Sequence, residues 1–176
     1  MSILRRVGTN QEEREAYLKN PAWREKEGET TLPAERYAEI AEKEQFLLTV
    51  TENGYGKRSS TYEYRRTNRG GQGITNIDTS ERNGCVVASF PVTPGEQLML
   101  VTDQAKIIRT TVGDIRVMGR NTQGVTIFRV AEGEHVVSVA KIDESDEEEI
   151  DVDGEIAPSD DAVIGEDAAA GPEDGE

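Results

Sequence analysis

The chain of 176 residues is poor in the side chains that build covalent or metal-based sites, with one cysteine and one histidine. A single cysteine, Cys85, excludes an intrachain disulfide. A zinc site assembled from Cys and His needs more ligands than Cys85 and His135 supply. One histidine also leaves no Ser/His/Asp arrangement to assemble, and the glycines do not follow the pattern of a nucleotide-hydrolase phosphate loop. Cys85, ahead of Val86-Val87, reads as a small core residue, and His135 as packing or surface. Long apolar runs are missing too. The start Met-Ser-Ile-Leu-Arg-Arg lacks the core of a signal peptide, and no stretch is long enough to span a membrane. The expectation is a cytoplasmic protein without membrane partners and without a cofactor or metal of its own.

Cations are absent from one region. Residues 143–176 hold no Lys or Arg and 16 Asp or Glu. Residues 46–142 hold 12 Lys/Arg against 9 Asp/Glu, and residues 1–45 hold 8 against 10. The formal charge of −15 therefore belongs to the C-terminal tail, and the middle of the chain is mildly basic. The tail has no periodic apolar pattern to offset the entropy of ordering it, and reads as disordered.

What is present is a repeat. At an offset of 51, Leu47 meets Leu98, Val50 meets Val101, Arg58 meets Arg109, Arg65 meets Arg116 and Arg69 meets Arg120. Gln72-Gly73 meets Gln123-Gly124, and Thr75 meets Thr126. One residue is then dropped, and Cys85-Val86-Val87 falls on His135-Val136-Val137. A strand-rich period of this length reads as a propeller-like blade. The apolar matches specify a core, and the paired arginines need another explanation.

Each copy reads as four strands, giving an all-β chain of two blades over residues 46–93 and 94–142. In the first copy the strands are Phe46–Thr51, Tyr55–Arg66, Ile74–Ile77 and Cys85–Val92. Asn53-Gly54 fits a type I′ hairpin turn, and Arg82-Asn83-Gly84 a second turn. Residues 1–4 resemble the last strand of a preceding unit. Residues 5–45 read as a charged linker, partly helical and mostly solvated. Thr9 or Asn10 would cap a helix that Asn20-Pro21 ends, and Pro33-Ala34-Glu35 would start another with Tyr37, Ile40 and Ala41 on one face.

The candidate chemistry is electrostatic. Lys57, Arg58, Arg65, Arg66 and Arg69 cluster in the first copy, and Lys106, Arg109, Arg116 and Arg120 occupy the second. Duplex DNA carries one phosphate charge per about 1.7 Å, and arginines recurring on successive blades would form a stripe along it. The alternative is a solvated face on which the arginines pair with Glu52, Glu63, Asp103 and Asp114. Gly70 and Gly71 beside Arg69 offer backbone amides for a phosphate, or simply a tight turn. An RGG tripeptide also marks disordered RNA-binding tails, but those carry many copies and no strand pattern.

The motifs Glu52-Asn53-Gly54-Tyr55-Gly56-Lys57-Arg58, Gly71-Gln72-Gly73-Ile74, Glu81-Arg82-Asn83-Gly84 and Gly119-Arg120-Asn121-Thr122-Gln123-Gly124-Val125 resemble the last two blades of the C-terminal domain of DNA gyrase A. That resemblance covers residues 46–142. It implies a β-pinwheel whose basic rim bends duplex DNA, with Lys57, Arg58, Arg65, Arg69, Arg109, Arg116 and Arg120 on phosphates. It further implies the rest of gyrase A and its companion gyrase B as partners, ATP and Mg in the full complex only, and a cytoplasmic, nucleoid-associated setting. The family's catalytic half has no counterpart in this sequence. Arg36-Tyr37 superficially resembles the family's strand-cleaving pair, but its flanks do not match. The alternatives are the equivalent component of topoisomerase IV, and a repeat-built protein-interaction module whose acidic tail binds basic partners.

Overall fold

The computed structural model describes residues 4, 7–24, 31–65, 67 and 70–142, which belong to one compact unit. The proposed strand over residues 1–4 and the acidic tail thus lie almost wholly outside the described residues. Among the described residues two helices come first: α1, Gln11–Lys19, and α2, Ala34–Glu42. Seven strands follow: β1, Phe46–Thr51; β2, Tyr55–Ser60; β3, Val86–Val92; β4, Gln97–Thr102; β5, Ile107–Thr111; β6, Val125–Thr126; and β7, Val136–Ile142.

The strands form two antiparallel sheets, ordered β3-β1-β2-β6 and β5-β4-β7. In β4, alternation places Leu98, Leu100 and Thr102 inward. In β1, Leu48 and Val50 face the core, while Thr49 and Thr51 are buried on the other side. Leu48, Val50, Val92, Leu98, Leu100, Val112, Ile115 and Val136 make one core shared by both sheets. Each such aliphatic side chain contributes about 1.5–3 kcal/mol on burial, so the two repeats stabilise each other. The repeat extends to irregularities. The β1–β3 register shifts between Val50 and Thr51, and the β4–β7 register shifts between Val101 and Thr102.

The second repeat also lends a strand to the first sheet. Val125–Thr126 belongs to the second repeat but pairs with Tyr55 and Gly56 of the first. Val117 bridges to Arg58 beside it. The expectation of a strand at Ile74–Ile77 within its own blade is therefore corrected. Its repeat counterpart crosses to the neighbouring sheet, and Ile74–Thr75 has no strand to pair with among the described residues. The second strand is also shorter than expected, ending at Ser60 in a 3-10 turn over Thr61–Glu63.

The hairpin turns differ from expectation as well. Type I′ geometry needs two positive φ angles, but only Gly54 has one, at 74°, and its amide donates to the Thr51 carbonyl at 3.1 Å. This is a three-residue loop closed by a left-handed residue. The second repeat builds the same loop with Ala105, at φ 60°. Cys85 is exposed rather than in the core. Its carbonyl accepts from the Glu52 amide at 3.0 Å, so the backbone at this position joins the ladder while the thiol faces outward.

Residues 7–24 and 31–45 are docked rather than mostly solvated. Asn10 caps α1 through a capping box with Glu13, and the helix ends at Asn20. Tyr17, Ile40 and Tyr62 are buried together, flanked by Val7, Leu18, Leu32, Tyr37 and Ala41. Tyr62 comes from the 3-10 turn after β2, and its hydroxyl donates to the Ile40 carbonyl at 2.9 Å. One aromatic side chain therefore ties the helices to the first repeat. Arg36 and Tyr37 are absorbed in this packing. Arg36 bonds Glu13 at 2.8 Å and Glu39 at 2.5 Å, and Tyr37 donates to the Asn20 carbonyl at 3.0 Å.

Candidate nucleic-acid interface

The structure divides the repeated cations into two sets. Lys57 and Arg58 sit in the middle of β2 and are buried. The Lys57 ammonium donates to the carbonyls of Gly119, Arg120 and Thr122 at 2.8, 2.5 and 3.2 Å, and lies 3.2 Å from the Thr122 hydroxyl. Burial pushes its pKa down to about 8, with Glu63 acting in the opposite direction. The Arg58 Nε donates to the Ile115 carbonyl at 2.6 Å, and its Nη2 to the Gly113 carbonyl at 3.0 Å. Both side chains hold loops of the second repeat against the first. The expected rim contact to phosphate does not match this placement: the Lys57 ammonium is spent inside the molecule, and Arg58 is buried with Nε and Nη2 spent there. Strand alternation alone carries no sign of this, since it does not say whether a neighbouring repeat covers the edge.

Arg65, Arg109 and Arg116 are exposed. Arg109 Nε donates to Gln97 Oε1. Arg120 is half-buried; its Nη1 donates to the Thr75 carbonyl at 2.5 Å, and its backbone amide to Glu63 Oε2 at 2.6 Å. Lys106 is ion-paired with Glu134 at 2.6 Å. Gly70 and Gly71 are exposed, Gly70 at φ 84°, and Arg66 and Arg69 lie outside the described residues. Among the described residues no ion pair joins Arg65, Arg116 or Arg120 to Glu52, Glu63, Asp103 or Asp114. Glu63 instead accepts the Arg120 amide, Asp103 the His135 amide at 3.0 Å, and Asp114 the Thr111 hydroxyl. The carboxylates pin turns rather than neutralise these arginines.

Other candidate side chains are not marked by the repeat. Arg82 stacks over the Tyr55 ring with its guanidinium carbon 4.9 Å from the centroid. The buried Asn83 donates to the carbonyls of Asp78 and Gln123, at 2.9 and 3.0 Å, joining the two repeats. Their motif, Glu81-Arg82-Asn83-Gly84, is visible in the sequence as a turn, whereas the roles of its side chains are not. Trp23 and Arg24, from the helical segment, line a groove with Arg58 and Arg116. No repeat counterpart exists for them.

Two blade-like repeats that share a strand and carry paired exposed arginines define a β-propeller-type domain. Residues 45–93 and 96–143 match the family model of the DNA gyrase C-terminal domain, beta-propeller, and the chain belongs to that family. It is 44% identical over 163 residues to the DNA gyrase A protein of Rickettsia felis, covering 86% of this chain and 18% of that one. It is 43% identical over 122 residues to the Escherichia coli gyrase A protein, covering 68% of this chain and 14% of that one. The chain thus spans less than a fifth of these relatives. A solved DNA gyrase A C-terminal domain aligns with TM-score 0.51 and 31% identity, over 55% of this chain and 33% of that one. The C-terminal domain of DNA topoisomerase IV aligns with the same TM-score at 22% identity, over 56% of this chain and 31% of that one, a likeness of fold.

Proposed function

We propose that this chain binds duplex DNA and helps to wrap it, as the last two blades of the C-terminal domain of DNA gyrase A. The observation that carries this reading is the pair Arg65 and Arg116, exposed at equivalent places in two repeats of a gyrase-family domain. Contacts to phosphates position DNA without reading its sequence. Preference then follows the ease of bending. In this reading the remainder of gyrase A and the companion gyrase B are partners, ATP and Mg serve the full complex, and the protein works at the nucleoid in the cytoplasm. The described residues offer no group of three His, Cys, Asp or Glu arranged to hold a metal ion. No helix among them is long and apolar enough to cross a membrane.

The test is duplex affinity against salt. Each neutralised phosphate contributes about 0.9 to the slope of log affinity on log salt. The double variant Arg65→Ala, Arg116→Ala should flatten that slope by roughly two contacts. An unchanged slope places the DNA elsewhere.

A further inference from the structure

Between the helical segment and the second repeat runs an open groove of about 790 Å3, lined by Trp23, Arg24, Arg58, Arg116, Met118 and Gly119. Val117 lines it too, and among the described residues the lining holds three arginines and no carboxylate residue. The wall is built. Trp23 Nε1 donates to Glu44 Oε1 at 3.2 Å, and the Tyr17 hydroxyl donates to the other oxygen of the same carboxylate at 2.7 Å. This fixes the indole. The Arg24 guanidinium carbon lies 5.3 Å from the indole centroid, stacked over the ring. In the second repeat, the Arg116 carbonyl accepts from the Arg58 amide at 3.1 Å, which anchors the backbone that carries Arg116.

The three arginines are not equivalent. Arg58 spends Nε and Nη2 on carbonyls, and burial pushes its pKa down, with Asp114 acting in the opposite direction. Arg24 and Arg116 are exposed, and neither has an ion-pair partner among the described residues. Arg24 and Arg116, with Arg58 in the same lining, set up a positive field, and no salt bridge among the described residues has to break for an anion to enter it. A small-molecule site would be enclosed and mostly apolar. An open, cationic groove fits a polyanion lying along the surface.

We propose that this groove is a second contact for the duplex backbone, with phosphates of one strand held between Arg24 and Arg116 and Trp23 as a flat wall beside them. The proposal rests on the DNA-binding reading above and deepens it, because it makes the helical segment part of the DNA path.

Trp23 is the only tryptophan in the chain, so its fluorescence reports this groove alone. The full chain is titrated at low salt with a duplex of about 40 base pairs carrying a dye, whose anisotropy reports binding independently. The indole emission should change with the same midpoint as the anisotropy. Arg24→Ala should flatten the salt slope by about one contact, and Arg24→Lys should restore it. If the anisotropy reports binding while Trp23 stays silent and Arg24→Ala keeps the slope, the groove proposal falls and the DNA-binding reading stands. A larger response to single-stranded than to duplex DNA at equal saturation overturns it in favour of base stacking. If no DNA raises the anisotropy, both fall together.

Discussion

A cation that repeats at a fixed spacing can serve the inside of a molecule as well as its surface, and Lys57 shows how. Its ammonium holds three carbonyls of the Gly119–Thr122 loop, which belongs to the other repeat. Lys57→Met keeps the stem and removes the donors, leaving those carbonyls without their charged partner. The expected cost is about 2–3 kcal/mol, read as a lowered midpoint in urea unfolding. A shift within error would mean that water replaces the ammonium. Glu134 does the corresponding work within the second repeat. It is buried, and Lys106, Thr102 and the Ala131 amide hold its carboxyl down at about 2, well below the ordinary 4.5. The unfolded chain takes up a proton near 4.5 and the folded chain only near 2, so stability is lost as pH falls through that window. Glu134→Gln should remove this share of the acid sensitivity. An acid-unfolding curve parallel to that of the parent chain would show the carboxylate to be idle.

At the scale of elements, the turns and the lent strand decide how the repeats join. Ala105 stands where the first repeat has Gly54, and both adopt a positive φ. A left-handed alanine costs about 1–2 kcal/mol, partly offset by the greater freedom of an unfolded glycine. Ala105→Gly should therefore stabilise the chain by roughly 0.5–1 kcal/mol, and a lower thermal midpoint would contradict this. Gly124, at the entry to β6, is the opposite case. Its φ is 81°, and an added Cβ would lie 2.8 Å from the Gly56 carbonyl oxygen. Gly124→Ala should undock β6, so that hydrogen-exchange protection drops at Ile127 and Phe128, whose amides both donate to Gly54. Protection in α1 should remain. These positions also mark what is legible in the sequence. The first and last strands of each repeat, a helix start at Thr9 or Asn10 and its end at Asn20-Pro21 follow from local chemistry. Alternation and β-branching locate a strand, but not the sheet it joins. That is why Val125–Thr126, the burial of Lys57 and Arg58, and the docking of α1 and α2 through Tyr62 emerge only with the tertiary structure. The exposed arginines of the candidate interface are legible from the repeat, whereas Trp23 and Arg24 are not, because their groove forms between segments remote in sequence.

For the whole molecule, the balance is between a basic repeat region and an acidic tail. Residues 46–142 carry three more cations than acids, while residues 143–176 carry 16 acids and no Lys or Arg. A tether of this kind keeps its charge at high effective concentration near the rest of the chain. If the exposed arginines bind phosphates, carboxylates of the tail compete for them. Removing residues 143–176 should raise duplex affinity most at low salt. The gain should shrink as salt increases, because competitor and ligand act through the same screened charges. Two measurements separate this from a simple change in net charge. Arg65→Ala with Arg116→Ala should reduce the gain from truncation, since competition needs a shared site. Replacing the tail by an uncharged linker of equal length should reproduce the gain, since its cause is charge rather than length. Equal affinity with and without the tail, across several salt concentrations, would place the acidic segment away from the DNA path altogether.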